Sequence, residues 1–284
     1  MEENYLGYYY CSLETFLNII KNQTIYLSDP LKMNDSEEIK WAIKKMDSNL
    51  FGQIIQRSYL SDIDKSDLIK ILEEKGQNNV FISCFSKKED LLSQWRAYGD
   101  NGNGVALGFD LNKLAKPGQN IRIKKVIYSN QIKKEYLRES QFEIAADTLS
   151  IAKQANDGAD YDDKELLLDE LLDVCLEYKN PCFVEEDEVR LIYKEIERVD
   201  QVIEAHSAWS NREYHYKPLK LEHSFRIIRK NDITEYVIMP IENAVEKIII
   251  GPRSMLKIED AKKIIKQYIP NNTISIKKSD ASYR

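Results

Sequence analysis

One stretch constrains this chain more than any other. Phe183-Val184-Glu185-Glu186-Asp187-Glu188-Val189-Arg190-Leu191-Ile192-Tyr193 runs from a cluster of acids straight into an apolar, β-prone end. Read as a strand, it alternates its side chains between two faces. Glu186, Glu188 and Arg190 then share one face, and Asp187, Val189 and Leu191 the other. Two carboxylates and a guanidinium in a row are costly to bury without a purpose. The row is either a site of chemistry or an ion pair bracing a sheet, and the residues alone leave both readings open.

The remaining sequence supplies a sheet for that strand to join. Residues 5–10 read as an aromatic first strand. Ser12 reads as the N-cap of a helix whose Leu13, Phe16, Leu17 and Ile20 fall on one face. A strand at 24–27 follows, then helices at 37–46, 49–59 and 64–75, and a strand at 80–86. A short helix at 90–98 leads to the glycine-rich turn 99–104, read as a hairpin-type connection. Strands at 105–109 and 121–129 precede an acidic helical insert at about 130–180. Residues 201–217 read as a polar, aromatic loop. Strands at 224–228, 235–239 and 245–250, a helix at 258–269 and a strand at 273–278 close the chain. Strands and helices mix without regular βαβ alternation. The expectation is a single α+β domain over 1–284, with a mixed, largely antiparallel sheet flanked by helices.

Composition narrows the function classes. A net charge of −6 gives no overall basic field to draw the whole chain to nucleic acid. The cysteines (Cys11, Cys84, Cys175, Cys182) and histidines (His206, His215, His223) show no zinc-ligand spacing, so no metal site is expected. Each histidine reads as a surface or capping residue. No apolar run reaches the length of a membrane span, and the acidic start does not resemble a signal peptide. The expectation is a cytoplasmic protein with free thiols and no membrane partner.

Several short constellations could carry binding. In the strand at 80–86, alternation sets Cys84 and Ser86 on one face and Ser83 and Phe85 on the other. Gln94 and Tyr98 are i, i+4 and point the same way on a helix, with Trp95 between them as a packing anchor or a stacking plate. Tyr9 and Tyr10 share that ambiguity, since either ring can pack or stack on a base. The turn 99–104 is neither a P-loop nor a dinucleotide fingerprint, because it does not join a strand to a helix.

Taken together, these blocks resemble a bacterial family known as domain-of-unknown-function family 2971. The resemblance rests on residues 8–22, on 27–35 including Asn34, and on Cys84-Phe85-Ser86 with Leu92 to Tyr98. Gly104 to Phe109, Glu186 to Arg190 and Ile249 to Pro252 complete it. Two departures are Ser36, where proline is expected, and Phe183, where tryptophan is common. A second resemblance, at the level of the fold, is to ADP-ribosyltransferases. These carry a hydroxyl-bearing strand and a late E-x-E or Q-x-E strand.

The second resemblance implies NAD as substrate, with Glu188, Glu186 and Arg190 as catalytic residues. Tyr9, Tyr10, Ser12, Asn34, Ser86, Gln94, Trp95 and Tyr98 would hold a small nucleotide. Tyr8-Tyr9-Tyr10 stand where those enzymes have a first-strand arginine or histidine. The implied protein is an NAD-consuming enzyme or effector of bacterial defence or toxin systems, its protein or nucleic-acid target open. The alternatives are a non-catalytic binding protein, or a metal-dependent nuclease or phosphodiesterase using the same carboxylates.

Overall fold

The computed structural model describes residues 5–32, 38–48, 51–52, 64–77, 79–132, 163–195, 203–206, 213–216, 218–227, 232–270 and 273–283. Asn34, most of the expected helix at 49–59 and residues 133–162 of the expected insert lie outside them. The chain begins with β1 (Leu6–Cys11), α1 (Leu13–Asn22), β2 (Thr24–Ser28), α2 (Glu38–Lys45) and α3 (Lys65–Gly76). Next come β3 (Val80–Ser86), α4 (Leu92–Ala97), β4 (Val105–Asp110), β5 (Ile121–Lys125) and β6 (Ile127–Tyr128). The segment α5 (Asp163–Glu177), β7 (Tyr178–Lys179) and β8 (Glu188–Lys194) follows. The remaining elements are β9 (Ile203–His206), β10 (Glu213–Tyr216), β11 (Glu222–Ile227), β12 (Ile233–Pro240), β13 (Val245–Ile250), α6 (Ile258–Tyr268) and β14 (Ser275–Lys278).

Local chemistry sets the helix ends. The Ser12 hydroxyl accepts from the Thr15 N–H and caps α1, as its position suggests. Gln23 closes that helix in the left-handed region, at φ 55°. Asp64 and Asp67 form a reciprocal capping box at the start of α3.

The sheet is α+β in character and largely antiparallel, and it branches. β3 and β8 pair along their whole length, from Val80↔Lys194 to Ser86↔Glu188, and β5 lies on the far side of β8. The other edge of β3 meets two strands, each at one residue pair. β1 touches it through Tyr8↔Ser86 and β2 through Ser28↔Ile82. Both run antiparallel to β3, so they compete for one edge and part from it after that single contact. β1 leads into β4, β13 and β14; β2 leads into β12 and β11. The sheet therefore has a three-strand spine and two arms.

The spine's two faces explain where the arms and helices pack. Phe81, Phe85, Val189, Leu191 and Tyr193 turn towards a core shared with Phe16 and Ile20 of α1 and with Leu27, Leu107 and Phe109 of the arms. Val80, Ile82 and Ile192 turn the other way, onto Ile43, Leu72, Leu172 and Leu176 of α2, α3 and α5. Along that second face the apolar pairs run out. Ile82↔Ile192 is followed by Cys84↔Arg190 and then by Ser86↔Glu188.

Two expectations are corrected. The region read as a loop at 201–217 contains an antiparallel pair, β9 and β10. The turn at 99–104 is not a hairpin: it joins α4 to β4, and β4 pairs with β1 and β13. Asp100 and Asn101 both take positive φ, at 51° and 52°, which coils the chain into a 3-10 turn. Among the described residues, no helix is long and apolar enough to cross a membrane.

Candidate functional site

Where the two arms part from β3, the structure has a cleft of about 570 Å³. β1 contributes Tyr9 and Tyr10, β2 Tyr26 and Ser28, and β3 Cys84 and Ser86. Gln94 and Tyr98 come from α4 and its end. Lys179, Phe183, Glu186 and Glu188 come from the segment after α5, and Arg226 and Thr234 from the second arm.

The charged floor is built by one continuous stretch of chain. α5 has no basic residue in its last turn, so its C-terminal carbonyls need outside donors. Arg190 on β8 supplies one. Its Nη1 donates to the Leu176 carbonyl at 2.6 Å, and its Nε to Glu188 Oε1 at 2.6 Å. The chain then passes through β7, which sets Lys179 between the acids. Lys179 Nζ donates to Glu186 Oε2 at 2.7 Å and to Glu188 Oε2 at 2.9 Å. Asn180 caps a 3-10 turn over Pro181–Glu186, and Asp187 ends it in the left-handed region.

This turn corrects the expected strand face. Glu186 belongs to the 3-10 turn and not to β8, which begins at Glu188. The left-handed φ of 42° at Asp187 breaks the alternation between them. Glu186 still reaches the cleft, because Lys179 draws its carboxylate back and the Tyr98 hydroxyl donates to it at 3.4 Å.

Burial and charge oppose each other at Glu188, which is only 5% exposed. Burial pushes its pKa up, but the Arg190 and Lys179 charges outweigh that, with hydrogen bonds from Arg190 and Cys84. The net effect holds the carboxyl well below the usual carboxylate range, and so ionised. Its backbone N–H donates to the Tyr128 hydroxyl at 2.9 Å, which fixes the start of β8. Its oxygens take donors from Arg190, Lys179 and Cys84, while a carboxylate can accept about four. Acceptor capacity therefore remains at the cleft floor.

The other residues expected at a site divide clearly. Ser86 donates to the Glu186 carbonyl at 2.7 Å and accepts from the Lys88 N–H at 3.1 Å, so it lines the cleft while pinning the turn. The Tyr10 hydroxyl donates to the Lys88 carbonyl and accepts from the Leu91 N–H. Burial pushes the Tyr9 and Tyr10 phenols up, to about 12 for Tyr9, so both remain protonated. Trp95 is fully buried and does not line the cleft; it packs edge-on behind Tyr10 at 4.8 Å, and its indole N–H donates to Asp90. Ser12 also lies outside the lining, with its oxygen committed to the cap of α1. Arg190 has no exposed surface and stands behind Glu188.

The sequence reading missed Lys179, Tyr26, Lys32 and Arg226, all of which line the cleft. Lys179 carried no signal, since a strand end and a 3-10 turn, and no single helix or strand, lie between it and the acids. Arg226 shares its strand face with Glu222 and Ser224, so from sequence it reads as one more charge on a polar face. Among the described residues, no three histidine, cysteine or acidic side chains are gathered to hold a metal ion.

The model of a family described as a protein of unknown function, DUF2971, matches residues 94–191. The expected resemblance is thus borne out over that stretch, which runs from Gln94 on α4 to Leu191 on β8 and includes the whole charged floor. No curated protein and no solved structure gives a significant match to the chain.

Proposed function

We propose that the cleft binds NAD and cleaves its nicotinamide–ribose bond, passing ADP-ribose to water or to a macromolecular acceptor. The observation that carries this reading is the placement of Glu188. It is an ionised carboxylate held by Arg190 and Lys179, facing a cleft between aromatic strands, with Ser86 directly opposite on β3. As the glycosidic bond breaks, its electron pair leaves with nicotinamide and positive charge builds on the ribose. A fixed carboxylate hydrogen-bonded to a ribose hydroxyl stabilises that charge more than it stabilises the ground state. Glu186 lies nearer the cleft mouth and takes the proton from the attacking acceptor. Tyr9 and Tyr10 form the aromatic wall, and Gln94 and Tyr98 close the rim. An activity of this kind would suit an effector of bacterial defence or toxin systems.

The reading of the same acids as magnesium ligands is weaker. The Lys179 ammonium already sits between Glu186 and Glu188, where a shared cation would have to go.

The test is nicotinamide release from NAD by the purified protein, alone and with cell extract as a source of acceptors. Release in either case is expected. No release in both contradicts the proposal.

A further inference from the structure

The charged floor accounts for only one end of the cleft. Ser28, on β2, meets β3 at Ile82, while Ser86 and Glu188 sit four residues along. At roughly 3.3 Å per strand residue the two ends lie about 13 Å apart. The far end has different chemistry. Arg226 on β11 is exposed and donates one hydrogen bond, from Nη2 to the Ser28 hydroxyl at 2.8 Å. Among the described residues it has no carboxylate partner, so its charge is not neutralised there. Its guanidinium lies over the Tyr236 ring at 5.8 Å, and Tyr236 in turn packs on Tyr26 at 4.3 Å. Tyr26 remains 38% exposed and lines the cleft. Deeper in, the Ser83 hydroxyl is buried without a hydrogen-bond partner and also lines the cleft.

A planar cation with free donors, a half-exposed phenol ring and an unpaired hydroxyl form a set suited to a phosphorylated, base-bearing ligand. Resting on the function proposed above, we infer that the second arm is a diphosphate-recognition wall. Arg226 receives the diphosphate of the ligand and Tyr26 the adenine face, which points the nicotinamide ribose at Glu188. The wall fixes substrate class: a nucleotide bearing a diphosphate is bound, and a bare nucleoside is not.

The test uses calorimetric titration of the intact chain with ADP-ribose and with adenosine, together with the KM and kcat for nicotinamide release from NAD. Wild type should bind ADP-ribose and bind adenosine at least tenfold more weakly. Arg226→Ala should weaken ADP-ribose at least tenfold and raise KM for NAD by a similar factor, with a smaller fall in kcat from the less well placed ribose. Arg226→Lys should recover part of the loss, and the thermal midpoint should barely move because Arg226 is exposed. If wild type cleaves NAD but Arg226→Ala has the wild-type KM and ADP-ribose affinity, the wall is overturned while the site stands. Equal affinity for adenosine and ADP-ribose also overturns it. If wild type neither binds ADP-ribose nor cleaves NAD, the function itself fails and the wall fails with it.

Discussion

At the scale of single residues, Arg190 decides the character of the site. It is a guanidinium with no exposed surface, and it spends its donors on Glu188 and on the C-terminal end of α5. Removing one member of a buried ion pair leaves the other charge uncompensated, which costs about 3–5 kcal/mol. Arg190→Met should therefore destabilise the fold by about that amount in denaturant titration. A loss below about 1 kcal/mol would show that Lys179 alone supports Glu188. The pairing of Glu188 with Arg190 was legible from their i, i+2 spacing. Its complete burial fits a role in holding Glu188 ionised, behind the cleft, and not direct contact with a ligand. The position of Lys179 was not legible, because β7 and the 3-10 turn bring it back to the acids through tertiary structure.

At the scale of elements, β3 is legible over its whole length, since Val80 to Ser86 is a continuous β-prone run. The start of β8 is not. Glu185 to Glu188 carry no apolar alternation, so nothing in the sequence distinguishes the 3-10 turn from a strand. The left-handed Asp187 that separates them is a residue type that tolerates that conformation. The turn after α4 shows how closely the elements meet. Gly104 packs against the end of β1, and a Cβ there would sit 1.9 Å from the Cys11 carbonyl oxygen. Backbone would have to move to admit it. Gly104→Ala should cost about 1–3 kcal/mol, the usual range for overpacking, and should lower the thermal midpoint. An unchanged midpoint would mean that β1 and the turn are not held in this contact. Because α4 carries Gln94 and its end carries Tyr98, loosening this contact should also disturb the cleft rim.

At the scale of the whole molecule, the branching of the sheet creates the cleft. The α+β class and the antiparallel bias were legible from the order of strands and helices. The branch was not, because β1 and β2 each look like ordinary strands and only their registers on β3 reveal the competition. His223 helps hold the second arm to the spine. It lies between Glu235 of β12, at 2.8 Å, and Glu195 just beyond β8. Its role in sequence was only that of an isolated histidine, since both partners are distant along the chain.

The central claim is that Glu188 is a site of chemistry and not only a brace. The most direct measurement is kcat for nicotinamide release by Glu188→Gln, set beside its stability. Loss of a positioned group that stabilises transition-state charge is worth about 10²–10³ in kcat. The account predicts a fall of that size in protein that remains folded by circular dichroism. A folded Glu188→Gln variant that releases nicotinamide at the wild-type rate would contradict it.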